Sequence, residues 1–194
     1  LTTIVDGTAG VTFPAGGVGN PASAVVGTTD TQTLTNKSIV ATQLTGTIAS
    51  ARLPAGSVLQ VVNATYSTPT SNSTSTLADT GLTASITPSS ASNKVLVIVS
   101  QNGCRKEAGS SVSRVFVQLQ RSGTGIGDFA SSSAYTGVSD INDIGSVSAS
   151  ILDSPATTSA ITYKTRFRNG TNAASVSVQT DNEVSTITLM EISA

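Results

Sequence analysis

Residues 28–54 set the tightest constraint on this chain, because they cannot easily fold alone. Two runs occupy them, Thr28-Thr-Asp-Thr-Gln-Thr-Leu-Thr-Asn-Lys-Ser-Ile39 and Thr45-Gly-Thr-Ile-Ala-Ser-Ala-Arg-Leu-Pro54. Thr dominates, and the large apolar residues Leu34, Ile39, Leu44, Ile48 and Leu53 stand singly at spacings that fit no helical face. β-Branched Thr favours extended backbone. A lone strand with so few apolar residues buries too little to offset its ordering entropy. The tract is therefore either a disordered linker or one strand of an intertwined multimer.

The rest of the chain narrows that choice. At 194 residues it suits one medium domain plus an extension. It opens on Leu1 without an initiator Met or a basic-then-apolar leader, as expected of a processed product or a fragment of something longer. No apolar run reaches membrane-spanning length, so no membrane insertion is expected. Ser and Thr make up roughly 30% of residues, far above ordinary globular usage. A net charge of −1 argues against nucleic acid or an anionic membrane as a partner. Cys104 stands alone, which excludes an intrachain disulfide and a Cys-based metal site and reads as a small buried hydrophobe. An interchain disulfide or a reactive thiol is the other reading of Cys104.

Residues 1–55 carry one aromatic, Phe13, and the turn-rich stretch Phe13-Pro-Ala-Gly-Gly-Val-Gly-Asn-Pro21, which holds no regular element beyond a turn. They lack a core and read as an extended arm or stem. From Gly56 the character changes to about eight or nine short β-runs separated by polar turns. Lys94-Val-Leu-Val-Ile-Val-Ser100 is continuously apolar, as expected of a central strand covered on both faces. Val115, Val117 and Leu119 share one face, with Arg114, Phe116, Gln118 and Gln120 on the other. Ile161, Tyr163, Thr165 and Phe167 alternate with Thr162, Lys164, Arg166 and Arg168. Helix signals are nearly absent, with one turn expected at 127–133. The fold class is all-β: an extended arm over 1–55, then a β-sandwich of jelly-roll type over 56–194.

Gly27-Thr-Thr-Asp-Thr-Gln-Thr-Leu-Thr-Asn-Lys-Ser-Ile39 resembles a segment that recurs in tail fibres and other virion proteins of tailed bacteriophages. Leu44-Thr-Gly-Thr-Ile-Ala-Ser-Ala-Arg-Leu-Pro54 resembles the spacer that often follows it. From Gly56-Ser-Val-Leu-Gln-Val-Val62 to Ile192 the chain is similar to a β-rich C-terminal module of marine and cyanobacterial phage structural proteins. Ser100-Gln-Asn-Gly-Cys104, Leu152-Asp-Ser-Pro-Ala-Thr-Thr158, Tyr163-Lys-Thr165 and Thr186-Ile-Thr-Leu-Met-Glu-Ile192 carry that likeness. The resemblance implies a virion structural protein, a fibre or related appendage, and supplies no catalytic residues.

Side-chain chemistry points the same way. The chain has no His, which removes the commonest general base and metal ligand. Asp128, Asp140, Asp143 and Asp153 are carboxylates available for glycoside cleavage, but without Trp the chain offers little surface for stacking a sugar. Asp140-Ile-Asn-Asp143, with Asp128, matches no known calcium loop and reads as an Asx-held turn. Gly123-Thr-Gly-Ile-Gly127 lacks a following helix and reads as a hairpin connection rather than a phosphate loop. Arg105, Lys106 and Glu107 read as an exposed loop. Asn63, Asn72 and Asn169 head glycosylation sequons, which arise readily in so Thr-rich a chain.

The expectation is a non-enzymatic virion protein with no cofactor. Its arm carries Leu34, Ile39, Leu44, Ile48 and Leu53 into a homotrimer, where three copies bury side chains that one copy cannot. Its expected partners are copies of itself, other virion proteins, and a host surface receptor or glycan bound by the head. A capsid decoration protein anchored by the arm is the alternative. A glycan-binding adhesin using polar loops across 123–145 is another.

Overall fold

Period-two alternation of apolar and hydroxylated residues builds two four-stranded antiparallel sheets whose apolar faces meet. The computed structural model describes residues 4–6, 10–12, 46, 48–49, 52–143 and 145–194. The chain divides into two units, Leu1–Thr47 and Ile48–Ala194. In the first, β1 (Ile4–Asp6) and β2 (Gly10–Thr12) pair as an antiparallel hairpin, an element the sequence reading does not anticipate.

The second unit contains eight long strands. They are β3 (Val58–Tyr66), β5 (Ala78–Ile86), β6 (Lys94–Gln101), β8 (Val115–Arg121), β9 (Thr124–Ser133), β11 (Val147–Asp153), β12 (Ile161–Asn169) and β14 (Ser185–Ile192). One sheet has the order β11-β6-β14-β3 and the other β5-β12-β8-β9, with every pairing antiparallel. Apart from the β8–β9 hairpin, successive long strands alternate between the sheets, and this order is that of a jelly roll.

Antiparallel pairing sorts the connections by end. The chain enters β3 and leaves β14 at one end, where the β5–β6, β8–β9 and β11–β12 turns also lie. The other four connections cross between sheets at the far end. Each gives one short strand: β4 (Thr70–Asn72), β7 (Arg105–Lys106), β10 (Asn142–Asp143) and β13 (Val176–Val178). These form a third sheet in the order β10-β7-β13-β4.

The core is split by a polar belt. Thr80 Oγ1 meets Thr165 Oγ1 at 2.6 Å, Thr165 donates to Gln101 Oε1 at 2.8 Å, and Gln101 Nε2 donates to Ser185 Oγ at 2.9 Å. All four residues are fully buried. On the entry side lies the larger cluster, including Leu82, Val97, Leu119, Tyr163 and Leu189. The smaller, with Cys104, Val117, Phe167 and Val176, lies toward the far end.

Three expectations need correction. Residues 127–133 form part of β9 and not a helical turn, because β8 supplies a ladder for them. Arg105–Lys106 is strand β7 rather than an exposed loop, and Lys106 is fully buried. Its Nζ donates to Thr136 Oγ1 at 2.7 Å and to the Val138 carbonyl, which offset the loss of water. Finally, β6 is covered on one face only. Val95, Val97 and Val99 are buried, whereas Ile98 on the opposite face is 41% exposed.

Candidate functional site

With no catalytic or metal centre expected, the features open to a partner are the two outer faces and the two ends. The register places the outer face of the β11-β6-β14-β3 sheet in rows. Leu152, Leu96, Met190 and Val61 are direct neighbours across all four strands. Toward the entry end the next row is Lys94, Ile192 and Val58. Toward the far end come Ser150, Ile98, Thr188 and Asn63, then Ser148, Ser100, Thr186 and Thr65. Apolar side chains thus gather near the entry and hydroxyls take over beyond them. Val61 is 56% exposed and Leu152 53%, one at each edge of the sheet. Lys94 is the single charge on these rows.

The outer face of the other sheet is ionic. Asp79 accepts from Lys164 Nζ at 2.8 Å and forms an ion pair with Arg166, whose Nε lies 2.9 Å from its carboxylate. Asp128 accepts from Gln118 at 2.8 Å, and Gln120 donates to Gln118 at 3.1 Å. The Arg168 guanidinium lies 3.9 Å above the Phe116 ring, a cation–π contact.

A hollow of about 270 Å³ opens on this face between β5 and β12, lined by Asp79, Gly81, Thr83, Thr162 and Lys164 over Leu82 and Thr165. Its shape comes from a bulge. Lys164 pairs with Thr83 and Arg166 with Asp79, leaving residues 80–82 opposite Thr165. Gly81 takes φ +92°, and a Cβ there would lie 2.2 Å from the Tyr66 ring, so no other residue fits without displacing that ring.

At the entry end the chain is clipped to the end of β14. Gly56 N donates to the Ser193 carbonyl at 2.9 Å, and Ser193 Oγ donates to the Pro54 carbonyl at 2.9 Å. Beside it Glu191 is buried, accepting from Gln60 Nε2, Ser89 N, Ser89 Oγ and Asn93 Nδ2 at 2.6–2.8 Å. Burial pushes its carboxyl pKa up, but these donors outweigh burial and hold it below the ordinary value. Arg121 Nη1 and Tyr163 OH both reach Asp153, at 2.7 and 2.6 Å, which ties the two sheets together. Burial, the largest cause, together with the bond to Asp153 raises the Tyr163 pKa strongly.

Of the predicted assembly residues, Leu34, Ile39 and Leu44 lie outside the described residues. Ile48 is 56% exposed. Leu53 is half-buried and lines a second cavity of about 340 Å³ with Leu59, Ser89, Ser90, Asn93, Ser193 and Ala194. Burial pushes the Cys104 thiol up to about 11, a thiol shielded from exchange in the folded chain.

The predicted acids do not converge. Asp128 sits on the ionic face, Asp153 pairs with Arg121, and Asp143 on β10 lies 3.3 Å from Arg105. Asp140 is exposed. Among the described residues no three or more His, Cys, Asp or Glu side chains cluster as a metal site. Nor is any helix there long and apolar enough to cross a membrane. Asn72 and Asn169 are buried, so these two sequons are inaccessible in the fold, whereas Asn63 is exposed. The sequence reading missed the row of apolar residues across the outer face, because its members come from four strands far apart in sequence.

No protein-family model matches the chain, and no curated protein matches it.

Proposed function

We propose that the protein is a non-enzymatic structural protein of a bacteriophage particle, a tail fibre or appendage whose jelly-roll head is displayed for host attachment. One observation carries the reading: the Thr-rich tract resembling phage fibre spacers leads into a β-sandwich at one end, and the four connections that carry β4, β7, β10 and β13 lie at the opposite end. That polarity suits a head held at one end and presented at the other. Jelly rolls occur in viral capsid and lectin domains, although a fold does not by itself assign a function. The arm assembles copies of the chain, a homotrimer in this reading.

Immunogold electron microscopy of particles with antibody against the head tests the reading. Labelling at fibre tips is the expected result. Labelling across the capsid shell would instead select a decoration protein, and no labelling of any particle would defeat both.

A second reading, a glycan-binding head, is favoured by the hollow on the ionic face. It combines the Asp79 carboxylate, the Lys164 ammonium and the Thr83 and Thr162 hydroxyls, a donor–acceptor set suited to sugar hydroxyls. A glycan array with the full chain and with Lys164→Ala tests it. Binding lost in the variant is expected, and equal signals would remove the hollow from consideration.

A further inference from the structure

We propose that the outer face of the β11-β6-β14-β3 sheet, which carries one charge, is the head's own trimer interface, packed around a threefold axis by two further copies of this chain. The inference rests on the trimeric reading above and assigns a surface to it.

The first argument is the mismatch at β6. Its sequence is that of a strand covered on both faces, yet in one chain Leu96 is only half-buried and Ile98 is exposed. The same holds across the sheet, where Leu152, Leu96, Met190 and Val61 form an unbroken apolar row. Contiguous apolar rows of this kind on a soluble domain mark contact surfaces.

The second argument concerns what can cover the row. Adjacent strands are about 4.8 Å apart, so its four side chains follow at that pitch. The chain's own Thr-rich tract cannot match it. Leu34, Ile39, Leu44, Ile48 and Leu53 are four or five residues apart, about 13–17 Å in an extended strand. A copy of the same row has the required pitch. Copies also meet without electrostatic conflict, since Lys94 is the one charge on the face and lies in the row nearest the entry. The opposite outer face would bring Lys164, Arg166 and Arg168 against their own copies.

The third argument is closure. Four strands at about 4.8 Å make a face about 19 Å wide. Three such faces enclosing an axis place each sheet about 5.5 Å from it, close to half of the ~10 Å at which sheets pack. The rows then form one apolar layer around the axis, and Val61 at the β3 edge of one copy meets Leu152 at the β11 edge of the next. Those two edge residues are each more than half exposed in the single chain.

The test is a full-length chain carrying Val61→Cys and Leu152→Cys together, oxidised mildly and run on a non-reducing gel. Both positions are exposed, and Cys104 is buried away from them. A ladder reaching covalent trimer, absent from either single variant, is the expected result. A ladder stopping at dimer would overturn threefold packing in favour of a twofold pair. Met190, the chain's only methionine, gives a second readout. Its peroxide oxidation should be at least about tenfold faster in Val61→Lys/Leu152→Lys than in the unmodified chain. A trimer by light scattering with no cross-link and equal Met190 rates would overturn this interface and leave arm-driven assembly standing. A monomer by light scattering would overturn both.

Discussion

The two outer faces of the head have the same strand count and the same pleat, yet they satisfy their side chains differently. On the β5-β12-β8-β9 sheet, charges are satisfied in place: Asp79 pairs with Lys164 and Arg166, and Asp128 accepts a hydrogen bond from Gln118. On the β11-β6-β14-β3 sheet, no strand among the described residues packs over the row of Leu152, Leu96, Met190 and Val61. A face that satisfies itself is suited to water. An apolar row that does not is suited to a neighbour, and the contrast is visible only once the register is known.

The sharpest way to probe that contrast uses adjacent residues of β14. Leu189→Ala removes an inward side chain from the main cluster, with an expected loss of about 3 kcal/mol in urea unfolding. Met190→Ala on the outer side then reports its surroundings. A bare surface position costs under about 0.5 kcal/mol, whereas a covered one approaches about 2 kcal/mol, the outcome expected in the assembled protein.

Next in size is Thr165→Val in the belt between the sheets. It leaves the buried Gln101 Oε1 without its donor, while Thr80 keeps the Thr165 carbonyl and Leu82 N, and is expected to cost about 2 kcal/mol by the same measurement. A neutral result would mean that the belt contributes no net stability.

Glu191→Gln comes third, at about 1–2 kcal/mol at neutral pH, because its donors no longer meet a charge. The folded-state carboxyl pKa is depressed from the ordinary 4.5. Its contribution is therefore complete above about pH 4.5 and is lost as pH falls through the lower folded value. The gap between wild type and variant should close over that acid range, and a gap constant with pH would contradict the assignment.

Smallest is Asp79→Ala on the ionic face, expected below about 1 kcal/mol and weaker in high salt. A salt-independent loss larger than that would undo the contrast between the faces.

Much of the sandwich is legible from alternation alone. The inward sets of β8 and β12 follow directly from Val115, Val117 and Leu119 and from Ile161, Tyr163, Thr165 and Phe167. Strands β4, β7 and β10 are not legible, since two or three residues carry no periodicity and form through tertiary pairing, whereas β13 falls within the alternating run Ala174-Ser-Val-Ser-Val-Gln179. Lys106 is misread because its partners, Thr136 and Val138, come from a loop some thirty residues away. β6 is the instructive case. Its apolar run announces two covered faces, and the described residues supply one.

The clip between Pro54, Gly56 and Ser193 has a mechanical side. The chain enters β3 at one end of the sandwich, and the connections that carry β4, β7, β10 and β13 lie at the other. Tension applied at Pro54 and resisted at those connections runs along β3. It would load the rungs to β14 together, in shear, instead of unzipping them one by one. A head gripped in this way holds longest when pulled along its strands.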